Sequence, residues 1–211
     1  YNGNPTGLKA DGDITVRNAS AKPMGGSVAS VNGNVTLDAA GKAIGTEGSP
    51  VNVSTKGTVS VTSSAKELPI YLNWKSFAGG SLNVADGLTI TGAVNAEAKN
   101  SSAGLTFAGK NGAVGKSDNY FKVTGAGTVS AGDIGALYLY AAGQGPVVVE
   151  YNGNPTGLKA DRDITVRNIS GKSITGTVTS VNGNVTLDAA GKGIGTSSSL
   201  LSVITPGKTV L

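Results

Sequence analysis

Along most of this chain aliphatic residues alternate with Ser, Thr or Asn in short runs. GDITV at Gly12, GNVTL at Gly33, GTVSV at Gly57, GSLNV at Gly80, GLTF at Gly104 and GTVSA at Gly127 share one shape, which returns as RDITV at Arg162 and GNVTL at Gly183. Between them lie PVNV at Pro50, PIYL at Pro69, LYLY at Leu137 and PVVVE at Pro146. An apolar side chain at every second position is what a strand with one buried face requires, so the pattern predicts half-buried strands of about four to six residues. No stretch carries a helical period, and Gly punctuates nearly every run.

The anchors recur every 21 to 24 residues, with one longer interval between Gly127 and Arg162. Three short strands joined by Gly, Asn, Ser and Asp turns fill one such interval, which predicts an all-β solenoid, a parallel β-helix of about nine coils and a rod roughly 45 Å tall. The stacked inward positions are predicted to be Ile14 and Val16, Val35 and Leu37, Val59 and Val61, and Leu82 and Val84. One coil cannot bury such a stripe alone; stacking buries it, at about 0.8 kcal/mol per methylene.

A longer period overlies the coils. Residues 1–57 and 151–207 are identical at 41 of 57 positions, and VNGNVTLDAAGK occurs unchanged at Val31 and at Val181. A third series repeats Gly45, Val53 and Gly57 as Gly115, Val123 and Gly127 and as Gly195, Val203 and Gly207. Duplication preserves coil-to-coil register, so the dodecamer reads as a turn and a strand. Asn32, Asn34, Asn182 and Asn184 are expected to be structural turn residues, either left-handed or stacked in an asparagine ladder. Asn-Gly pairs at 2, 32, 111, 152 and 182 would suit the hairpins of a sandwich or an antiparallel barrel, the rival all-β folds.

The unit made of Ile44 to Thr46, Pro50 to Val53, Gly57 to Val61 and Ile70 to Leu72, echoed by Val114, Gly115, Val123, Gly127 and Leu137 to Leu139, resembles the repeat of filamentous-haemagglutinin-type adhesins and related leukotoxin-like exoproteins of Gram-negative bacteria. That resemblance implies a right-handed parallel β-helix. It also implies the shaft of a secreted or cell-surface protein exported by two-partner secretion through an outer-membrane transporter. Its partner would be a host-cell or bacterial surface receptor or glycan, with a part in adhesion or virulence. The family's secretion domain carries Asn-Pro-Asn motifs; Asn4-Pro5-Thr6-Gly7 and Asn154 to Gly157 depart from them, so 1–211 is expected to be one interior β-helical segment of a longer protein.

Composition agrees with strand and turn chemistry: 33 Gly among 211 residues, 14% charged residues, and neither Cys nor His. Without Cys there is no disulfide or thiolate site, as suits export in an unfolded state. No apolar run is long enough for a membrane span and no signal peptide is visible, so membrane insertion is not expected and an export signal would lie upstream of Tyr1. The net charge of +4 is spread singly along the chain, which does not point to nucleic acid.

Without imidazole or thiol, general-base and nucleophilic catalysis would fall to carboxylates, and no cofactor or metal site is expected. Asp11 with Asp13 and Asp161 with Asp163 are the pairs that a β-helical polysaccharide-degrading enzyme would use; as plain turn residues they need no such role. Non-enzymatic function is the expectation. Threonines do not form the paired ranks of an ice-binding face. Alternation points Tyr71 and Tyr138 outward, as candidate surface contacts for a glycan-binding module, and turns Trp74 into the core.

Overall fold

The computed structural model describes residues 2–3, 6–98, 103–143, 145–152 and 156–211. Among these, every regular element is a strand. In chain order they are β1 (Thr6–Ala10), β2 (Ile14–Arg17), β3 (Gly26–Ser30), β4 (Val35–Asp38), β5 (Val51–Ser54), β6 (Thr58–Thr62) and β7 (Glu67–Phe77). There follow β8 (Gly80–Val84), β9 (Thr89–Ala98), β10 (Gly104–Val114), β11 (Phe121–Thr124), β12 (Thr128–Ala141) and β13 (Val147–Tyr151). The last are β14 (Thr156–Ala160), β15 (Ile164–Asn168), β16 (Gly176–Ser180), β17 (Val185–Asp188), β18 (Leu201–Ile204) and β19 (Thr209–Val210).

All strand-to-strand pairings described are parallel, and together they make a solenoid of about nine turns. One ladder climbs β1, β3, β5, β7, β9, β11, the end of β12, β14, β16 and β18. The other climbs β2, β4, β6, β8, β10, the start of β12, β13, β15, β17 and β19. The Asn-Gly sites at 32, 111 and 182 make no hairpin pairing of strands, which removes the sandwich and the antiparallel barrel.

Register follows the sequence anchors. Ile14 pairs with Val35, Val35 with Val59 and Val59 with Leu82; Val16, Leu37, Val61 and Val84 stack beside them. Nearly all of these side chains are buried, Ile14 at the rim excepted. The core is one continuous file of aliphatic rungs, thickened by aromatics: Trp74 meets Phe77 edge-on at 5.0 Å, and Phe107 meets Phe121 at 5.7 Å.

The coil departs from the expected three equal strands. The third wall is reduced to bridges, Met24 to Ile44, Ile44 to Ile70 and Ile174 to Ile194. The strands β7, β10 and β12 instead run for 11, 11 and 14 residues. The first two bend locally, β7 at Ser76 with φ of 55° and β10 at Gly109 with φ of 138°. A bulge shifts the parity of alternation, as where burial passes from Trp74 to Phe77 across two intervening residues, so a strict period of two does not carry through the corner.

Buried polar side chains satisfy the corners. Asn18 and Asn168, each 2% exposed, donate their amide N–H to the carbonyls of Lys22 and Lys172 and accept from the backbone and hydroxyl of Ser20 and Ser170. Ser30 and Ser180 donate to the carbonyls of Gly12 and Arg162 on the preceding coil. An unsatisfied buried donor or acceptor costs about 1–3 kcal/mol, so these residues hold the turns in place.

Candidate functional site

The outward face of the first ladder carries Tyr71, Tyr138 and Tyr140 among polar side chains. Each outward residue stands over its counterpart on the next coil, about 4.8 Å away. Vertical columns of side chains result that no stretch of sequence displays.

One column reads Ser27, Asn52, Asn73, Asn95 and Thr124. The amide of Asn73 donates to Asn52 and that of Asn95 to Asn73, each at 3.4 Å, and the Thr124 hydroxyl donates to Asn95 at 2.8 Å. This column is an asparagine ladder, and it lies outside the dodecamer. Asn32 and Asn34 do not belong to it. The Asn34 side-chain amide oxygen accepts the N–H of Thr58 at 2.8 Å, and its backbone N–H donates to the Asp13 carboxylate at 2.7 Å. Asn184 repeats both bonds with Lys208 and Asp163. Asn32 and Asn182 hand their backbone N–H to Asp11 and Asp161. None of the four asparagines is left-handed; in the dodecamer that conformation falls on Ala40 and Ala190, with φ of 47° and 49°, and on the glycines that follow them.

The adjacent column holds Tyr71, Ala93, Lys122, Tyr140, Lys159 and Thr179. Lys159 sets its ammonium 4.7 Å from the Tyr140 ring centre. The Tyr140 hydroxyl donates to Asp161 at 2.6 Å, and the N–H of Gly143 reaches the other carboxylate oxygen at 2.6 Å. Those two donors hold the Asp161 carboxyl below its ordinary value, with Tyr140 the larger cause; the same bond holds the Tyr140 phenol above its own. Asp161 and Asp163 are thus engaged separately, and Asp13 caps a strand as Asp163 does.

Tyr138 stands one column further along, beside Tyr120 at 6.0 Å and edge-on, over Gly157. A Cβ at Gly157 would lie 2.2 Å from the Tyr120 hydroxyl, so only glycine leaves room for that ring. Burial pushes the Tyr120 phenol up. Both Tyr71 and Tyr138 point outward and are half-buried, but they occupy different columns and do not form one patch. Tyr120 and Tyr140 are the aromatic neighbours that alternation alone did not single out. Trp74 is fully buried.

Around Tyr71 the surface is concave. Ala93 is the small residue between Tyr71 and Lys122, and the missing side chain leaves a notch of about 260 Å³. Asn73, Asn95 and Thr124 line one side, and Glu47, on the turn closed by Thr46 and Ser49, stands at the rim.

Elsewhere charges pair across coils. Arg17 meets Asp38 at 3.1 Å, Lys116 meets Glu67 at 3.2 Å and Arg167 meets Glu150 at 3.2 Å, while Lys75 meets Glu97. Among the described residues there is no group of three or more acidic side chains placed to hold a metal ion. The segments Asn4-Pro5 and Asn154-Pro155 lie outside the described residues.

No family model, no curated protein and no solved structure matches this chain. The class that the coordinates define is a parallel β-solenoid with polar outward columns.

Proposed function

We propose that this chain is a non-enzymatic shaft segment of a large secreted or surface-displayed bacterial adhesin of the filamentous-haemagglutinin type. Its work is geometric: coils convert sequence length into reach and carry adhesive surfaces away from the cell. Export through an outer-membrane transporter and engagement of a surface receptor or glycan belong to the same reading, which the absence of Cys favours.

One observation carries it. The duplicated coil occurs in two settings, and its burial follows its neighbours. Leu158, stacked on Leu139, is 1% exposed, whereas Leu8, the same residue of the same sequence at the first described coil, is 37% exposed. At the other end Ile44 is fully buried and its counterpart Ile194 is 39% exposed. Each coil therefore completes its core on the adjacent coil, and such a stack lengthens without a new kind of core.

The duplication supplies a test that preserves register. Removing residues 58–207 joins Gly57 to Lys208, as Gly207 is joined now, and takes out seven strands of the first ladder. At about 4.8 Å per coil the rod shortens by about 34 Å. Bacteria carrying this deletion in the parent gene should still secrete and display the protein, with weaker adherence to host cells. Unchanged adherence from a correctly displayed, shortened protein would overturn the shaft reading.

A further inference from the structure

We propose that the notch between Tyr71 and Lys122 binds a single neutral pyranose ring, as the terminal or side-branch sugar of a glycan. This names a site for the glycan engagement in the proposed function and rests on that reading, while its binding test is separate from the adherence test.

The size points to a small ligand. A volume of about 260 Å³ falls below the roughly 300–1,000 Å³ of sites for drug-sized molecules. The notch exists because Ala93 stands where its column neighbours carry a phenol and an ammonium. Those neighbours lie two coil steps apart, about 10 Å.

The chemistry of the walls selects the ligand. Tyr71 offers an aromatic surface, which a pyranose covers with its C–H face. Asn73, Asn95 and Thr124 present amide and hydroxyl groups in a row at the coil spacing, suited to hydroxyls on alternate ring carbons. Each amide both donates and accepts, as a sugar hydroxyl does. Their mutual bonds of 3.4 Å are long and use one N–H of each amide, which leaves the second N–H for a ligand. Glu47 and Lys122 stand on the same notch with opposite charges. A carboxylate there disfavours phosphate, sulfate and uronate groups, and a neutral polyol accepts from Lys122 while donating to Glu47.

The test uses the full chain with methyl α-D-mannopyranoside, methyl β-D-glucopyranoside and methyl β-D-galactopyranoside as probes. Saturation-transfer NMR should show transfer to the ring protons of at least one glycoside, and titration should shift the side-chain amide signals of Asn73 and Asn95. Ala93→Gln fills the notch from an outward position, and Tyr71→Ala removes the stacking wall; each should weaken binding at least tenfold. Tyr138→Ala, one column away, should leave it unchanged. Native emission from buried Trp74 certifies the fold of every variant. No transfer from any of the three glycosides, or binding that survives Ala93→Gln in a folded protein, would overturn the proposal.

Discussion

Trp74 donates its indole N–H to the carbonyl of Thr55 on the preceding coil, at 3.2 Å, from a position with no exposed surface. The bond ties the largest core side chain to a turn. Thr55 itself donates to the carbonyl of Gly33 at 2.6 Å and accepts the N–H of Gly57 at 2.9 Å. Three coils are thus linked through one tryptophan and one threonine.

Replacing Trp74 with Ala removes the indole, its edge-on contact with Phe77 and its hydrogen bond. Large-to-small changes of this kind cost about 3–5 kcal/mol. Urea denaturation should show a loss of that size, read by circular dichroism because the only tryptophan is gone.

Thr55→Val keeps the shape and deletes the hydroxyl, which strands the Gly33 carbonyl and the Gly57 N–H. A loss of about 1–3 kcal/mol is expected. Thr205, the equivalent residue, makes the same two bonds with Gly183 and Gly207 but is only half-buried. Thr205→Val should therefore cost measurably less, and equal losses in urea melts would contradict the role of burial.

Two glycines with positive φ should respond differently to alanine. At Gly125, with φ of 81°, a Cβ would lie 1.7 Å from the carbonyl oxygen of Ala96, so the backbones of adjacent coils must separate. At Gly143, with φ of 64°, no atom lies within 4 Å of a Cβ. Gly143→Ala should cost about 1 kcal/mol, the conformational penalty alone, and Gly125→Ala several times more, as thermal melts would show.

Asp161 has its carboxyl held down by the Tyr140 hydroxyl and then by the Gly143 N–H. A group whose folded value is depressed contributes stability that is present above its unfolded value and lost as pH falls through the folded one. The advantage of the native chain over Asp161→Asn should be full at neutral pH and disappear on acidification below the ordinary carboxylate range near 3.8. Tyr140→Phe should raise the Asp161 titration midpoint in a carbon-detected NMR titration.

The rungs of the core were legible because alternation reports which side chains share a face, and constant spacing reports which coils stack. Ile14, Val35, Val59 and Leu82 needed nothing more. The outward columns were not legible. The asparagine ladder joins Asn52, Asn73 and Asn95, whose surroundings in sequence differ, whereas the repeated Asn32 and Asn34 invited that assignment and instead bond the turns and strand starts of adjacent coils. Tyr71 and Tyr138 looked alike by local pattern, yet a two-residue offset places them in separate columns.

Sequence alone pointed to the solenoid and fixed the stacking of its aliphatic rungs, because period-two alternation and a repeat of 21 to 24 residues admit few other ways to bury one face of every strand. Tertiary structure decided which polar residues meet, where the wall turns and where a notch opens. These depend on the lateral offset between coils and on one small side chain between two large ones, relations among residues some 20 to 30 positions apart that no local pattern encodes.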